Sequence, residues 1–231
     1  MPNDKPMDIA DWARLKRDLG KDDMVSLGIC SRNIDGSNTA RGAINGEMAK
    51  KEWTAARELG LPITLHTSGS ASIQLLNKEN LLGPDVQLVH PLNTNAADWD
   101  ALAKHNVHYS VSPLGEAGRP GEMQFPELLQ AGVLVSMSID NVTAERCDCF
   151  ACMHMMQAIN KHRTGGKIKI TTKRLVQIAT IDGAKDLGLA DKTGSLTPGK
   201  RADIILVRTT DINMAPVGDP YKALVSLAQP T

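Results

Sequence analysis

The sequence predicts an α/β protein assembled from successive parallel β/α units. Three features point to it. The stretch 61–70, LPITLHTSGS, is a short apolar, partly β-branched run that ends in His66 and gives way at once to small polar residues. That is the pattern of a buried parallel strand with a metal- or substrate-facing side chain at its C-terminal tip. The pattern recurs: VQLVH ends in His90, VHYSVS in Ser112 and VLVSMSID in Asp140, so a tip comes every 22–28 residues. Each gap holds a helical pattern, and the period is that of a β/α unit.

In chain order, residues 7–19 (MDIADWARLKRDL) carry Ile9, Trp12, Leu15 and Leu19 at helical spacing on one face. Residues 21–23 break the helix, and 24–30 (MVSLGIC) read as a short strand. Residues 31–46 are rich in Gly, Asn, Ser and Asp, and read as a loop. A long loop after a strand is often functional in an α/β fold. Residues 47–58 have strong helix formers throughout, with Gly60 as the stop. After the strand to His66, 71–76 form a short helix and 80–85 a turn. Residues 96–104 form a helix with Asn95 as its N-cap. Residues 113–124, with their Gly and Pro, read as a loop on the active face. A short helix at 125–130 stops at Gly132. Residues 149–161 and 171–187 are helical, the second capped by Thr171 or Thr172 and followed by Gly188. Residues 194–207 read as a turn and a strand, and 216–231 as a loop and short helix.

Composition narrows the function. The chain has 231 residues, 42% hydrophobic and 23% charged, which is ordinary for a soluble globular protein. The formal net charge is zero, so the basic face that nucleic acid requires is not indicated. No run approaches the ~18–20 apolar residues of a membrane span. The first residues lack the apolar core of a signal peptide. Four cysteines, three of them at 147, 149 and 152, do not resemble a disulfide framework. The expected location is the cytoplasm, and the expected partner is a small-molecule substrate. An aromatic content of 3% argues against stacked bases or sugars as the main binding mode.

Side chains at the C-terminal ends of barrel strands share one mouth. Two histidines and an aspartate at such tips supply ligands suited to Zn²⁺ or Fe²⁺. A metal there lowers the pKa of bound water toward ~7, and a carboxylate can take the water's proton. Each residue also has a plainer reading. A strand-end histidine can be a satisfied structural residue, and Asp140 can simply cap the helix that follows.

Three blocks resemble the metal-dependent amidohydrolase superfamily, in its cytosine/guanine deaminase-like and triazine-hydrolase-like branch. LPITLHTSG resembles the fifth barrel strand. LVHPLNTNAADWDALAKHNVHYSVSP resembles the sixth and seventh strands with their helix. AGVLVSMSIDN, with ATIDGAKDLGL and TGSLTPGKRADIILV, resembles the eighth strand and a tail returning to a small β-sandwich. The resemblance implies a partial (β/α)8 TIM-type barrel of about strands 4–8 over residues 1–190. It also implies part of a small β-sandwich over 191–231. His66 takes the place of the strand-five metal ligand and His90 that of the catalytic histidine that polarises the substrate. Asp140 takes the place of the aspartate that binds metal and accepts the water proton. Glu116, after strand seven, is placed at the substrate. Zn²⁺ is the implied cofactor, with Fe²⁺ the alternative.

Two departures qualify the resemblance. The family's first strand carries a His-x-His pair that supplies two ligands, and no His-x-His occurs in this sequence. The chain therefore reads as a fragment lacking about three β/α units, binding metal poorly and turning over little. Exposed strand edges in such a fragment favour homo-oligomers. Many relatives also place a glutamate proton shuttle three residues after the strand-five histidine, where this sequence has Gly69.

The expected chemistry is hydrolysis of a C–N or C–Cl bond of a nitrogen heterocycle. The alternatives are a cyclic-amide or carbamoyl hydrolase, and a catalytically silent fragment acting as a binding or assembly module. The run RCDCFACMHM brings Cys147, Cys149, Cys152 and His154 close in sequence. On one continuous helix only 149 and 152 share a face, so the cluster reads as structural. Met153, Met155 and Met156 read as core filler. TGGKIKI at 164–170 lacks phosphate-loop spacing.

Overall fold

Short apolar runs that alternate with amphipathic stretches bury both strand faces only by laying helices against a sheet. The computed structural model describes residues 5–20, 24–34, 43–67, 69–117, 122–141 and 147–230. The predicted break at 21–23, the centre of the long loop at 35–42 and part of the second loop, 118–121, lie outside the described residues. By spatial proximity the chain divides into two compact units, 1–109 and 110–231.

The first unit opens with helix α1 (Ile9–Leu19), whose N-cap Asp8 accepts the Asp11 N–H and whose Trp12 is buried. Strand β1 (Ile29–Cys30) follows, then α2 (Gly46–Glu58), capped by Asn45. Trp53 of α2 is fully buried, and its indole N–H donates to Ser31 Oγ at 2.9 Å. Glu52, also on α2, forms a buried ion pair with Arg32. Strand β2 (Ile63–His66) leads to α3 (Ser70–Lys78), and β3 (Val86–Val89) to α4 (Ala96–Lys104). Helix α3 is longer than 71–76. Helix α4 carries a full capping box, in which Asn95 and Asp98 satisfy each other's backbone N–H groups. Strand β4 (His108–Val111) straddles the boundary between units.

The parallel pairing runs Ile29↔Ile63 between β1 and β2, and Ile63↔Val86 through His66↔Val89 between β2 and β3. Ile63, Leu65, Val86 and Leu88 are buried at alternate positions, with Ile73 and Leu76 of α3 and Leu102 of α4. The opposite face of the same strands is polar: Thr64 donates from Oγ1 to Gln87 Oε1 at 2.8 Å. With β5 (Leu134–Met137), the sheet has five strands in the sequential order β1-β2-β3-β4-β5 and is not closed. This is the parallel α/β fold and partial barrel expected from the sequence.

The second unit departs from expectation in three places. Residues 113–117, read as loop, form a short helix, α5 (Pro113–Ala117). Its proline sits where a missing N–H costs nothing, and Glu116 accepts the Ser112 N–H at 2.6 Å. Helix α6 (Phe125–Gln130) is as predicted, and strand β5 lies within the predicted segment but ends at Met137, before Asp140. Helix α7 (Cys149–Thr164) begins at its Asp148 cap and ends on left-handed Gly165. The helix expected over 171–187 is interrupted. It consists of α8 (Thr172–Gln177), a π-helical turn (Ile178–Asp182) and α9 (Gly183–Asp186). Asp182, in the widened turn, is buried and takes both Arg174 and Lys185 as ion-pair partners.

The third departure is the strand expected within 194–207, which is not formed. Ile204, Ile205 and Leu206 stand 56%, 73% and 96% exposed. An apolar extended run becomes a strand only where a neighbour takes up its backbone groups. Helix α10 (Pro220–Ser226) packs on α7 and α8. A small apolar cluster of Met214, Ala223 and Ala228 forms with Phe150, Val207, Val217 and Leu224.

Two substitutions test this account of the first unit. Leu88→Ala is expected to lower unfolding free energy by about 2–5 kcal/mol, because a fully buried strand residue leaves a cavity. Asn95→Ala is expected to cost about 1 kcal/mol through loss of the cap on α4. Urea denaturation followed by circular dichroism measures both.

Candidate metal centre

Register places the first two candidate residues. His66 is the last residue of β2 and stands opposite Val89, and the Thr67 N–H continues the ladder to the Val89 carbonyl at 3.0 Å. His90 is one step beyond that pair. Strict alternation would send it to the helix-facing side with Val86 and Leu88. Its backbone instead turns left-handed, with φ 59°. The two imidazoles are brought together, with ring centroids 5.4 Å apart and planes inclined at 43°. His90 is buried, whereas His66 is exposed. The Tyr109 hydroxyl donates to the Pro91 carbonyl at 3.3 Å, tying the segment after His90 to β4.

A left-handed conformation costs a residue with a Cβ about 1–2 kcal/mol. Among the described non-glycine residues, three that adopt it are asparagines, 80, 93 and 106. The others are His90 and Asp140, the latter with φ 62°. Such outliers gather at functional sites, because only a surrounding structure that over-determines them holds them there.

Asp140 belongs to the second unit, three residues past the end of β5, and is exposed. The segment leading to it is anchored. The Ser138 N–H donates to the Val111 carbonyl at 2.8 Å, and the Ser138 and Ser112 hydroxyls share a 2.5 Å hydrogen bond. Cys152 donates from Sγ to the Ser138 carbonyl at 3.9 Å. Glu116 is 1% exposed, and one carboxylate oxygen accepts the Ser112 N–H. It holds the tip of β4 from within. The hydroxyl pair was not anticipated. The sequence places Ser112 at a strand tip, but nothing in it indicates that Ser138 is its partner.

Gly69 gains a physical reason. It is the N-terminal boundary residue of α3 with φ 103°, and a Cβ built on it would lie 2.4 Å from the Leu92 carbonyl oxygen. The backbone at this position has room for no side chain, a glutamate included.

The sheet thus carries two imidazoles side by side at the ends of adjacent parallel strands. The chain belongs to the amidohydrolase family, whose profile matches residues 22–230. It is 34% identical over 161 residues to a 5-methylthioadenosine/S-adenosylhomocysteine deaminase of Teredinibacter turnerae, covering 68% of this chain and 36% of that protein. It is 27% identical over 189 residues to an S-triazine hydrolase of Gordonia rubripertincta, covering 78% and 40%. Its fold is similar to a zinc-bound adenosine deaminase from Xanthomonas campestris, with TM-score 0.86 and 19% identity over 97% of this chain and 55% of the other. It is also similar to an atrazine chlorohydrolase from Arthrobacter aurescens complexed with zinc and atraton, with TM-score 0.81 and 15% identity over 95% and 51%. The chain thus spans less than half the length of these two relatives and about half that of the two solved structures. Among the described residues no helix is long and apolar enough to cross a membrane.

The account of Gly69 predicts a contrast between two glycines that both have positive φ. Gly132, with φ 88°, has nothing within 4 Å of a built Cβ, whereas Gly69 meets a carbonyl. Gly69→Ala is therefore expected to lower the melting temperature clearly more than Gly132→Ala. Equal effects would show that backbone conformation alone, not the close approach, governs position 69.

Proposed function

We propose that this protein is a metal-dependent hydrolase that exchanges an amino group or chloride on a carbon of a nitrogen heterocycle for the hydroxyl of water. The observation that carries the reading is the His66–His90 pair, with His90 held left-handed at the end of β3. The candidate ligands are the His66 imidazole, with His90 beside it in the first unit, and the Asp140 carboxylate of the second unit. Imidazole nitrogen and carboxylate oxygen are donors that fit Zn²⁺, with Fe²⁺ the second choice. When bound, such a cation acts as a Lewis acid and lowers the pKa of water toward ~7.

In this reading His66 and Asp140 are the metal ligands. Asp140 also accepts the proton that water gives up. His90 donates a hydrogen bond to the ring atom that gains charge as water adds. Glu116 serves the substrate side indirectly, by fixing Ser112 at the tip of β4. The relatives support the substrate class by their names, which are those of deaminases and a triazine hydrolase. With no His-x-His in the sequence, the chain alone is expected to hold metal weakly. Residues 191–231 are taken as a segment of a small companion domain. Cytoplasmic location and association of the open sheet edges into homo-oligomers belong to the same proposal.

Position 69 favours one form of this chemistry. An amine leaves as ammonia only after taking a proton, and Gly69 cannot bear the glutamate that delivers it. Chloride leaves without one. Loss of chloride from a ring carbon is thus the form this site supports with fewest further groups.

Zinc competition with a chromophoric chelator tests the ligand set. His66→Ala and Asp140→Asn are each expected to weaken zinc binding about tenfold or more. Unchanged binding in both would remove the metal assignment. Assays of chloride and ammonia release from chloro- and amino-substituted heterocycles test the chemistry. Asp140→Asn is expected to lower any turnover by about 10²-fold or more. Full turnover in that variant would reject Asp140 as the proton acceptor.

A further inference from the structure

The helix expected over 171–187 is broken by the π-helical turn at Ile178–Asp182, which packs on β5. Such single turns are rare and gather at functional places. A cavity of about 400 Å³ opens beside this one. It lies at the start of β5, opposite the end that leads to Asp140. Every residue lining it belongs to the second unit. Its volume is that of a small-molecule site.

Four lining side chains are apolar: Leu129, Val133, Leu134 and Ile181. Four are polar: Arg174 and Gln177 from α8, Asp182 from the turn and Lys185 from α9. Asp182 is buried, and each of its carboxylate oxygens already accepts a hydrogen bond. Arg174 Nη1 donates to Oδ2, and Lys185 Nζ donates to Oδ1 at 3.1 Å. The two cations are not exhausted by this. A guanidinium carries five N–H bonds and an ammonium three. Arg174 Nε and Nη2 bond no other described side chain, and neither does the Gln177 amide. Asp186, beside Lys185, is engaged with Ser136 of β5 and does not line the cavity.

Two cations against one carboxylate leave a single positive charge at the cavity. A monoanion balances it, whereas a dianion would leave a negative charge over. The uncommitted Nε–Nη2 edge is the planar fork that a carboxylate accepts in two parallel hydrogen bonds. An apolar body attached to that carboxylate would cover the four apolar side chains, which an inorganic anion cannot do.

We propose that this cavity binds a small monocarboxylate with an apolar body, such as an aromatic or short aliphatic acid. The carboxylate is held by Arg174 and Lys185, with the Gln177 amide as a neutral donor. No covalent bond is made or broken.

The test is calorimetric titration of the full chain, freed of metal by chelation, with benzoate. One equivalent per chain is expected to bind. Benzamide, the same ring without the charge, is expected to bind about tenfold more weakly for want of charge-assisted hydrogen bonds. Sulfate, without an apolar body, is also expected to bind more weakly than benzoate. Arg174→Lys keeps the positive charge but loses the planar fork, and is expected to weaken benzoate binding about tenfold. Gln177→Glu breaks no side-chain hydrogen bond among the described residues, so its circular dichroism is expected to stay native. It sets a like charge beside the ligand and is expected to weaken benzoate binding about tenfold. His66→Ala is expected to leave binding unchanged, which keeps this outcome distinct from failure of the hydrolase reading. An absent benzoate signal would overturn the proposal. So would equal binding of benzamide or sulfate, binding indifferent to Gln177→Glu, or binding lost in His66→Ala.

Discussion

The ladder between β2 and β3 is the constraint on which the candidate site depends. Because side chains alternate strictly along a strand, a slip of one residue would exchange Ile63 and Leu65 for Thr64 and His66 on the helix-facing side. Burying Ile63, Leu65, Val86 and Leu88 completely against the helices forbids that slip. The polar pair Thr64–Gln87 on the other face favours the same register. His66 is delivered beside the end of β3 by apolar packing a few residues away, not by any interaction of its own.

Position 90 shows how far packing can be turned to the use of a site. Alternation alone would bury the His90 side chain among the helices. A left-handed backbone redirects it, at an energetic cost that the buried strand before it and the Tyr109–Pro91 hydrogen bond after it can sustain. Asp140 adopts the same conformation within its own unit, after a segment pinned by Ser138 to both Val111 and Ser112. Chemistry-bearing side chains are thus presented from short, strained, well-anchored turns rather than from the ends of regular strands.

Gly69 shows what a one-dimensional pattern leaves out. The resemblance marks position 69 as a place where a glutamate is expected and missing. Only the Leu92 carbonyl explains why no side chain fits. A backbone contact, absent from any residue count, decides what position 69 can carry.

Much of this protein was legible without coordinates. The β/α alternation, most of the helices and the Asn95 and Thr171 caps follow from local periodicity and capping chemistry. These depend on near neighbours in the chain. The helix at 113–117, the π-helical turn around Asp182, the unformed strand within 194–207 and the Ser112–Ser138 pair were not legible. Each depends on a partner distant in sequence or on the lack of a ladder partner: α5 on how Glu116 is seated, the turn on two cations meeting one buried carboxylate, the apolar run on a neighbouring strand. Local pattern determined most of the strands and helices and several of their caps. Tertiary packing decided where the residues at their ends point, because backbone groups and buried charges must find partners wherever the fold supplies them.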